Sequence, residues 1–332
     1  LRRSAKEARI ANWKILGIVI AVAVVALSLI NASWIAPTPK GKLIMVSHRG
    51  VAQQFSREGV GRDTCTATRI EPPEHNYLEN TVRSMQRAVI LGADMLELDV
   101  HPTTDGQMVV FHDWTLDCRT NGKGVTREHS LAELKALDIG YGYTADGGKT
   151  YPLRGTGIGA MPTVEEVLQA LPGTSFLFNF KSRDPRDADL LVQAFARAGV
   201  PVGERFSFYG DDKVLDRMRV HAPQSWIWSK AEVSDCALDY LKFGWTGFVP
   251  QSCRGKTIMV PLNYQWAVWG WPNRFLDRMA KSNTRVILLG DIMNDRSPIG
   301  LERAEQLGEV PRDFRGYLWV EDIYEVGRAL GR

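Results

Sequence analysis

An α/β barrel behind a single apolar helix is the architecture this sequence predicts, and three observations carry it. Short apolar runs that read as strands alternate with helical patterns from Lys42 to the C-terminus, the order that builds a parallel sheet wrapped by helices. The roughly 290 residues after Gly41 suffice for one large barrel or two smaller domains, and the unbroken rhythm favours one barrel. Ahead of them, Ile15 to Ile30 is almost uninterruptedly apolar.

The anchor comes first. Arg2, Arg3, Lys6, Arg9 and Lys14 stand against one acid, Glu7, in the tail 1–14. The segment between Trp13 and Trp34 spans roughly 30 Å as a helix, one hydrocarbon thickness, with an aromatic residue at each end. We read 15–36 as a membrane anchor, the basic tail cytoplasmic and the rest exported, so that the barrel lies on the periplasmic side of the inner membrane. A cleaved signal peptide is the alternative, because Asn31-Ala32-Ser33 offers small residues near its end. Residues 37–41 form a stiff linker. Of the formal charge of +3, the tail holds more than all. The barrel is near neutral, which gives nucleic-acid binding no support. Cys65, Cys118, Cys236 and Cys253 form an even set in a compartment that permits disulfides. We pair Cys65 with Cys118 and Cys236 with Cys253 because their loops are expected to meet; four separate thiols is the alternative.

Lys42 to Ser47 reads as the first strand, delivering His48-Arg49-Gly50 at its C-terminal end, where chemistry collects in parallel α/β folds. After a polar loop, Asn80 is expected to cap a helix whose Val82, Met85, Val89 and Ile90 share a face, closed by Gly92. The strand from Glu97 follows. Alternation turns Glu97 and Asp99 one way and Leu96, Leu98 and Val100 the other, so two carboxylates share one small space. A hard divalent cation is the common answer to that repulsion. The turn Thr104-Asp105-Gly106 then reverses the chain and brings His112-Asp113 back beside the pair.

These residues, with Glu79-Asn80-Thr81, Leu116-Asp117, Thr120 to Gly124, Leu131 to Asp138 and Met161 to Leu168, resemble the glycerophosphodiester phosphodiesterases in order and spacing across roughly residues 43 to 182. The resemblance implies a TIM barrel with a small insertion, a divalent cation, Ca²⁺ or Mg²⁺, and a small phosphodiester as substrate. It implies Glu97 and Asp99 as metal ligands, Glu79 at the rim of the metal site, His48 and His112 as the acid and base, and Arg49 as a phosphate contact. One departure stands out. Asn179 occupies the strand position where the family carries a ligating glutamate, while Lys181 matches the lysine expected near the phosphate. An amide oxygen can ligate but brings no charge, so weaker metal binding is the expectation.

The insertion, about 114–160, carries a capping box at Ser130 and Glu133, and a second box at Thr163 and Glu166 opens the next helix. The stretch 140–159 either covers the barrel mouth or is solvated. Phe176 to Lys181 puts Asn179 and Lys181 on one face and three phenylalanines on the other. Further strands are expected at 205–209, 225–229, 247–250 and 257–260, with 285–289 closing the barrel. The stretch from Ala267 to Asn273 resembles the family's late strand, which implies that Trp271 walls the alcohol side of the substrate. Phe314 to Val320 and the helical pattern from Ile323 to Leu330 have no expected role. The expected activity is metal-dependent hydrolysis of glycerophosphodiesters to sn-glycerol 3-phosphate and an alcohol. The alternatives are a lysophospholipid or phospholipid substrate on the same site, and a barrel that binds phosphodiesters without turnover.

Overall fold

The computed structural model describes residues 2–61, 64–292 and 299–331, with side chains from residue 12 onward. The charges of Arg2, Arg3, Lys6, Glu7 and Arg9 therefore lie outside the described side chains. The chain opens with α1 (Arg2–Asn31). Its segment Asn12–Asn31 is long and apolar enough to cross a membrane, and none of that length is buried against the rest of the chain.

The elements that follow are β1 (Leu43–His48), α2 (Val82–Ile90), β2 (Met95–Pro102), β3 (Met108–Val110), α3 (Leu131–Lys135), α4 (Val164–Ala170), β4 (Ser175–Phe180), α5 (Arg186–Arg197), β5 (Phe206–Gly210), α6 (Asp212–His221), β6 (Trp226–Ser229), α7 (Lys230–Phe243), β7 (Thr257–Pro261), α8 (Asn273–Lys281), β8 (Arg285–Leu289), β9 (Gly316–Val320) and α9 (Ile323–Ala329). Eight strands run parallel in the spatial order β6-β5-β4-β2-β1-β9-β8-β7, and β3 folds back on β2 as the hairpin that Thr104-Asp105-Gly106 predicts. The barrel is nearly closed. No backbone ladder joins β6 to β7 among the described residues, and the Trp226 indole bridges that seam by donating to Thr257 Oγ1 at 2.8 Å.

Two strand expectations are corrected. The eighth barrel strand is β9, which pairs with both β8 and β1, so 285–289 is the seventh and the segment without a role is the closing one. Residues 247–250 form no strand. Gly247 has φ +85°, a left-handed conformation that ends a short turn and breaks extended pairing.

Alternation sorts the sheet into two cores. Outward residues such as Met45, Leu98, Phe176, Phe178, Phe206 and Leu288 pack against the helices. Inward residues, among them Val46, Leu177, Tyr209, Trp228, Ile287 and Trp319, fill the barrel. A third core lies outside both. Ala67, Ile70 and Leu78 from the loop after β1 pack with Leu116, Leu134, Ile139, Tyr143 and Leu153 from the insertion. The Cys65–Cys118 disulfide joins the two segments, and Cys236–Cys253 closes the second pair. The insertion is thus a packed layer with its own core.

The capping boxes at Ser130/Glu133 and Thr163/Glu166 form as the pattern predicts. The cap of α2 does not. Thr81 is its N-cap, boxed with Ser84, because Asn80 sits at φ +58° and its amide is used elsewhere. The helix consequently buries Ser84, Met85 and Ala88 and exposes Val89 and Ile90. At the other end of the chain Asp322 caps α9, accepting from the amides of Tyr324 and Glu325, and burial pushes its carboxyl up to about 6. A folded-state value above the unfolded one means that this group's contribution to stability is fully present below about pH 4 and is lost as pH rises through about 6. Asp322→Asn keeps a capping side chain and removes the charge. It is expected to flatten that limb and gain on the order of 2 kcal/mol at pH 7, read from urea midpoints across pH 4 to 7.

Candidate active site

The inward face that packs the barrel turns polar at the C-terminal ends of the strands. A two-residue step leads from Val46 to His48, from Met95 to Glu97 and Asp99, from Leu177 to Asn179 and Lys181, and from Trp319 to Glu321. These side chains converge at one mouth.

His48-Arg49-Gly50 leaves β1 through two left-handed residues, Arg49 at φ +64° and Gly50 at φ +75°. A Cβ on Gly50 would lie 2.7 Å from Ser84 Oγ, so only glycine lets the strand end meet the start of α2. That meeting brings Glu79-Asn80-Thr81 under the site, and each member has one task. Glu79 accepts from Arg49 Nη1 at 3.1 Å, Asn80 Nδ2 donates to Asp99 Oδ2 at 2.9 Å, and Thr81 caps α2.

Asp99 and Glu97 are both fully buried, yet their surroundings differ. Asp99 meets Arg49 Nε at 3.2 Å, Lys181 Nζ at 3.4 Å, Asn179 Nδ2 at 2.8 Å and Asn80. Burial alone would raise it, but Lys181 and Arg49 outweigh burial and hold it well below the usual carboxylate range. Glu97 accepts from Tyr209 Oη at 2.6 Å through Oε1, while Oε2 is buried without a hydrogen-bond partner, 3.8 Å from His48 Nε2. Burial, then the Asp99 charge, pushes Glu97 up.

Each histidine is steered by a carboxylate. His48 Nδ1 lies 2.8 Å from Glu321 Oε2, and Arg57 holds the other Glu321 oxygen at 3.1 Å. His112 Nδ1 lies 2.7 Å from Asp113 Oδ1, and Arg119 Nε donates to Asp113 Oδ2 at 2.9 Å. With Nδ1–H donated to the carboxylate, both rings keep Nε2 for the site. Burial, then Arg49 and Lys181, pushes His112 down to about 4, so its imidazole is neutral at pH 7.

The structure therefore brings together His48, Arg49, Glu79, Glu97, Asp99, His112, Asn179 and Lys181. It does not bring Trp271 with them. The Trp271 indole donates to Gln265 and packs on Phe275 and Phe314 in the layer between strands and helices. The stretch 267–273 is a connection into α8, and its aromatic residues turn outward because no strand orders them toward the mouth. Glu79 lies at the rim of the site. Both of its oxygens are held by guanidinium groups, Arg49 at 3.1 Å and Arg119 at 3.2 Å, so it is a counter-ion between two arginines.

Sequence reasoning missed Glu321, Arg119, Tyr209 and Lys230. Glu321 was legible as the residue two past Trp319 on β9, had that strand been recognised as part of the barrel. Arg119 arrives from the insertion and carries no local signal. Lys230, just past the end of β6, is pushed below its usual range by burial and then by Lys181, which places it in the same field.

Among the described residues no three His, Cys, Asp or Glu side chains stand together as a ligand set. The orphaned Glu97 Oε2 beside the Asp99 carboxylate nonetheless fits a hard cation. Two carboxylates suffice for an ion that keeps waters and takes its remaining oxygens from substrate.

A sequence profile of the glycerophosphoryl diester phosphodiesterase family matches residues 48–202. The glycerophosphodiester phosphodiesterase of Caldanaerobacter subterraneus is 41% identical over 106 residues, 32% of this chain and 40% of that protein. That of Bacillus altitudinis is 34% identical over 110 residues, 33% of this chain and 41% of that protein. The chain thus spans about two fifths of the length of these curated relatives. Among solved structures, the glycerophosphoryl diester phosphodiesterase domain of an uncharacterized Mycobacterium tuberculosis protein aligns with TM-score 0.62 at 17% identity, over 88% of this chain and 100% of that one. An Oleispira antarctica phosphodiesterase in complex with the product sn-glycerol-3-phosphate aligns with TM-score 0.55 at 15% identity, over 91% and 100%. At these identities the structural likeness concerns the fold.

Proposed function

We propose, from the premise that this barrel belongs to the glycerophosphoryl diester phosphodiesterase family, that it hydrolyses glycerophosphodiesters to sn-glycerol 3-phosphate and an alcohol. The observation that carries the reading is the pair of steered imidazoles, His48–Glu321 and His112–Asp113, flanking buried Glu97 and Asp99 with Arg49 and Lys181 beside them. Phosphodiester cleavage needs three things: neutralised non-bridging oxygens, a nucleophile relieved of its proton, and a leaving alkoxide that receives one.

Arg49 and Lys181 offer the phosphate two cationic contacts. His112, neutral at working pH, takes the proton from the nucleophile at Nε2, with Asp113 fixing its tautomer. As water bonds to phosphorus and the bond from phosphorus to the alcohol oxygen breaks, His48 acts as the imidazolium, its Nδ1–H held by Glu321, and gives its Nε2 proton to the departing oxygen. A divalent cation, Ca²⁺ or Mg²⁺, held by Glu97 and Asp99 with the Asn179 amide oxygen, supplies further charge neutralisation at the phosphoryl group. Asn179 in place of a carboxylate keeps an oxygen donor but contributes no charge, which makes the site a weak one for the ion.

We place the barrel on the exported side of the inner membrane, carried by α1. Two disulfides support an oxidising compartment, and the basic tail supports a cytoplasmic N-terminus. The test is release of free choline from glycerophosphocholine by the full chain, with EDTA and with Mg²⁺ or Ca²⁺ restored. Cation-dependent release supports the assignment. Binding of the ester without release, in every cation, leaves a binding barrel in its place. Faster release from lysophosphatidylcholine than from glycerophosphocholine moves the substrate to acylated esters.

A further inference from the structure

The join between α1 and the barrel is built of specific bonds. Arg278, itself buried, donates to the Ile30 carbonyl at 2.8 Å and to Asn31 Oδ1 at 3.1 Å. Asn31 Nδ2 donates to the Trp245 carbonyl at 2.7 Å, and the Asn273 amide donates to Ser33 Oγ at 2.8 Å. A guanidinium on the last carbonyls of a helix also meets its negative dipole end. Residues 30 to 33 are thereby part of the wall formed by α7 and α8, ahead of the 37–41 linker, and the direction of α1 is set by the barrel.

That wall carries a cluster of apolar side chains on its outside. α7 already buries Val233, Cys236 and Tyr240, and a surface helix would show polar residues opposite them. Beside the exposed Ser234, Asp235 and Lys242 it also shows Leu238 and Leu241, continued by Phe243, Trp245 and Phe248, all exposed. Trp269, also exposed, donates its indole N–H to the Leu241 carbonyl at 2.9 Å and so joins the same face. Exposed apolar groups gathered in this way mark an interaction surface.

We propose that this face of the barrel, beside the join with α1, rests in the lipid interface and seats the catalytic domain on the bilayer. The occupant follows from the join. α1 leaves its apolar stretch from Asn12 unburied, and on the reading that it spans the membrane the bilayer that receives it reaches Asn31, whose neighbours are Trp245 and Arg278. Groups bonded to the last turn of a spanning helix lie at headgroup depth. Indole and phenyl rings suit that depth, where one edge is wet and the other apolar.

The proposal rests on α1 spanning the membrane, and the experiment separates the two. The full chain is placed in nanodiscs of phosphatidylcholine and phosphatidylglycerol whose acyl chains carry bromine near the headgroup, and quenching of the ten tryptophans is measured. Removing a quenched emitter lowers the quenchable fraction of the emission; removing an unquenched one raises it. Trp245→Phe and Trp269→Phe are each expected to lower it in discs that hold one chain. A rise for both overturns the lipid seat. A fall that occurs only in discs holding two chains overturns it as well and makes the face a contact between copies. Trp13→Phe reports the span alone: a fall there with rises at 245 and 269 keeps the anchor and removes the seat.

Discussion

His112→Ala is expected to lower kcat on glycerophosphocholine by roughly 10²- to 10⁴-fold, the range that one positioned proton-transfer group supplies. His48→Ala is expected to lose a similar factor; each substitution also takes a hydrogen bond from a largely buried carboxylate, so both are assayed below their own melting temperatures. The two losses separate by leaving group. An ester whose alcohol is p-nitrophenol departs without needing a proton, so His48→Ala should recover most of its rate on that substrate. His112→Ala should not, because its nucleophile still keeps its proton. The structural ground for this order is the charge around each ring. Burial, then Arg49 and Lys181, keeps His112 neutral, while the His48 ring lies with Nδ1 2.8 Å from Glu321 and Nε2 3.8 Å from Glu97. Recovery by His112→Ala and not by His48→Ala exchanges the two roles. Full activity in both variants removes the pair from the mechanism.

Legibility in the sequence followed locality. The βα rhythm, the hairpin and two capping boxes rest on neighbours within a few residues, and all appear as expected. Glu97 with Asp99, and Asn179 with Lys181, were legible because a strand carries its own two-residue code for facing. Asn80 was misread as a cap because its left-handed backbone and its bond to Asp99 depend on a strand nineteen residues away. The partners of the histidines divide in the same way. Asp113 adjoins His112 in sequence, but Glu321 reaches His48 across 273 residues, at the end of a strand that becomes recognisable only once the barrel closes. Arg119 was hidden for another reason. It belongs to an insertion whose core forms only against the loop after β1, so nothing near it in sequence points to the site. Trp271 shows the converse case, an aromatic residue in a motif that Gly270 and Pro272 match only in part, on a connection that is not a strand.

The two buried carboxylates should answer neutralisation in opposite ways. Asp99→Asn is expected to cost about 3–5 kcal/mol, the usual loss when one partner of a buried ion pair is removed, because Lys181 loses its carboxylate and Arg49 keeps Glu79, which it shares with Arg119. Glu97→Gln should cost little or raise stability at pH 7. Its carboxylate is held up by burial and by Asp99, so the native state favours the neutral form and wild-type stability declines as pH climbs past the unfolded value toward the raised folded one. An amide keeps the contact with Tyr209 and removes that decline. Inorganic phosphate supplies a second reading. In Asp99→Asn the freed Arg49 and Lys181 are expected to bind it more tightly than in the parent, giving a larger rise in melting temperature per decade of phosphate. A cation bound by both acids must lose its own thermal shift in either variant, whatever happens to the fold. Equal destabilisation by the two substitutions would mean that the cationic groups serve the pair jointly, and the asymmetric field assigned to Glu97 and Asp99 would be wrong.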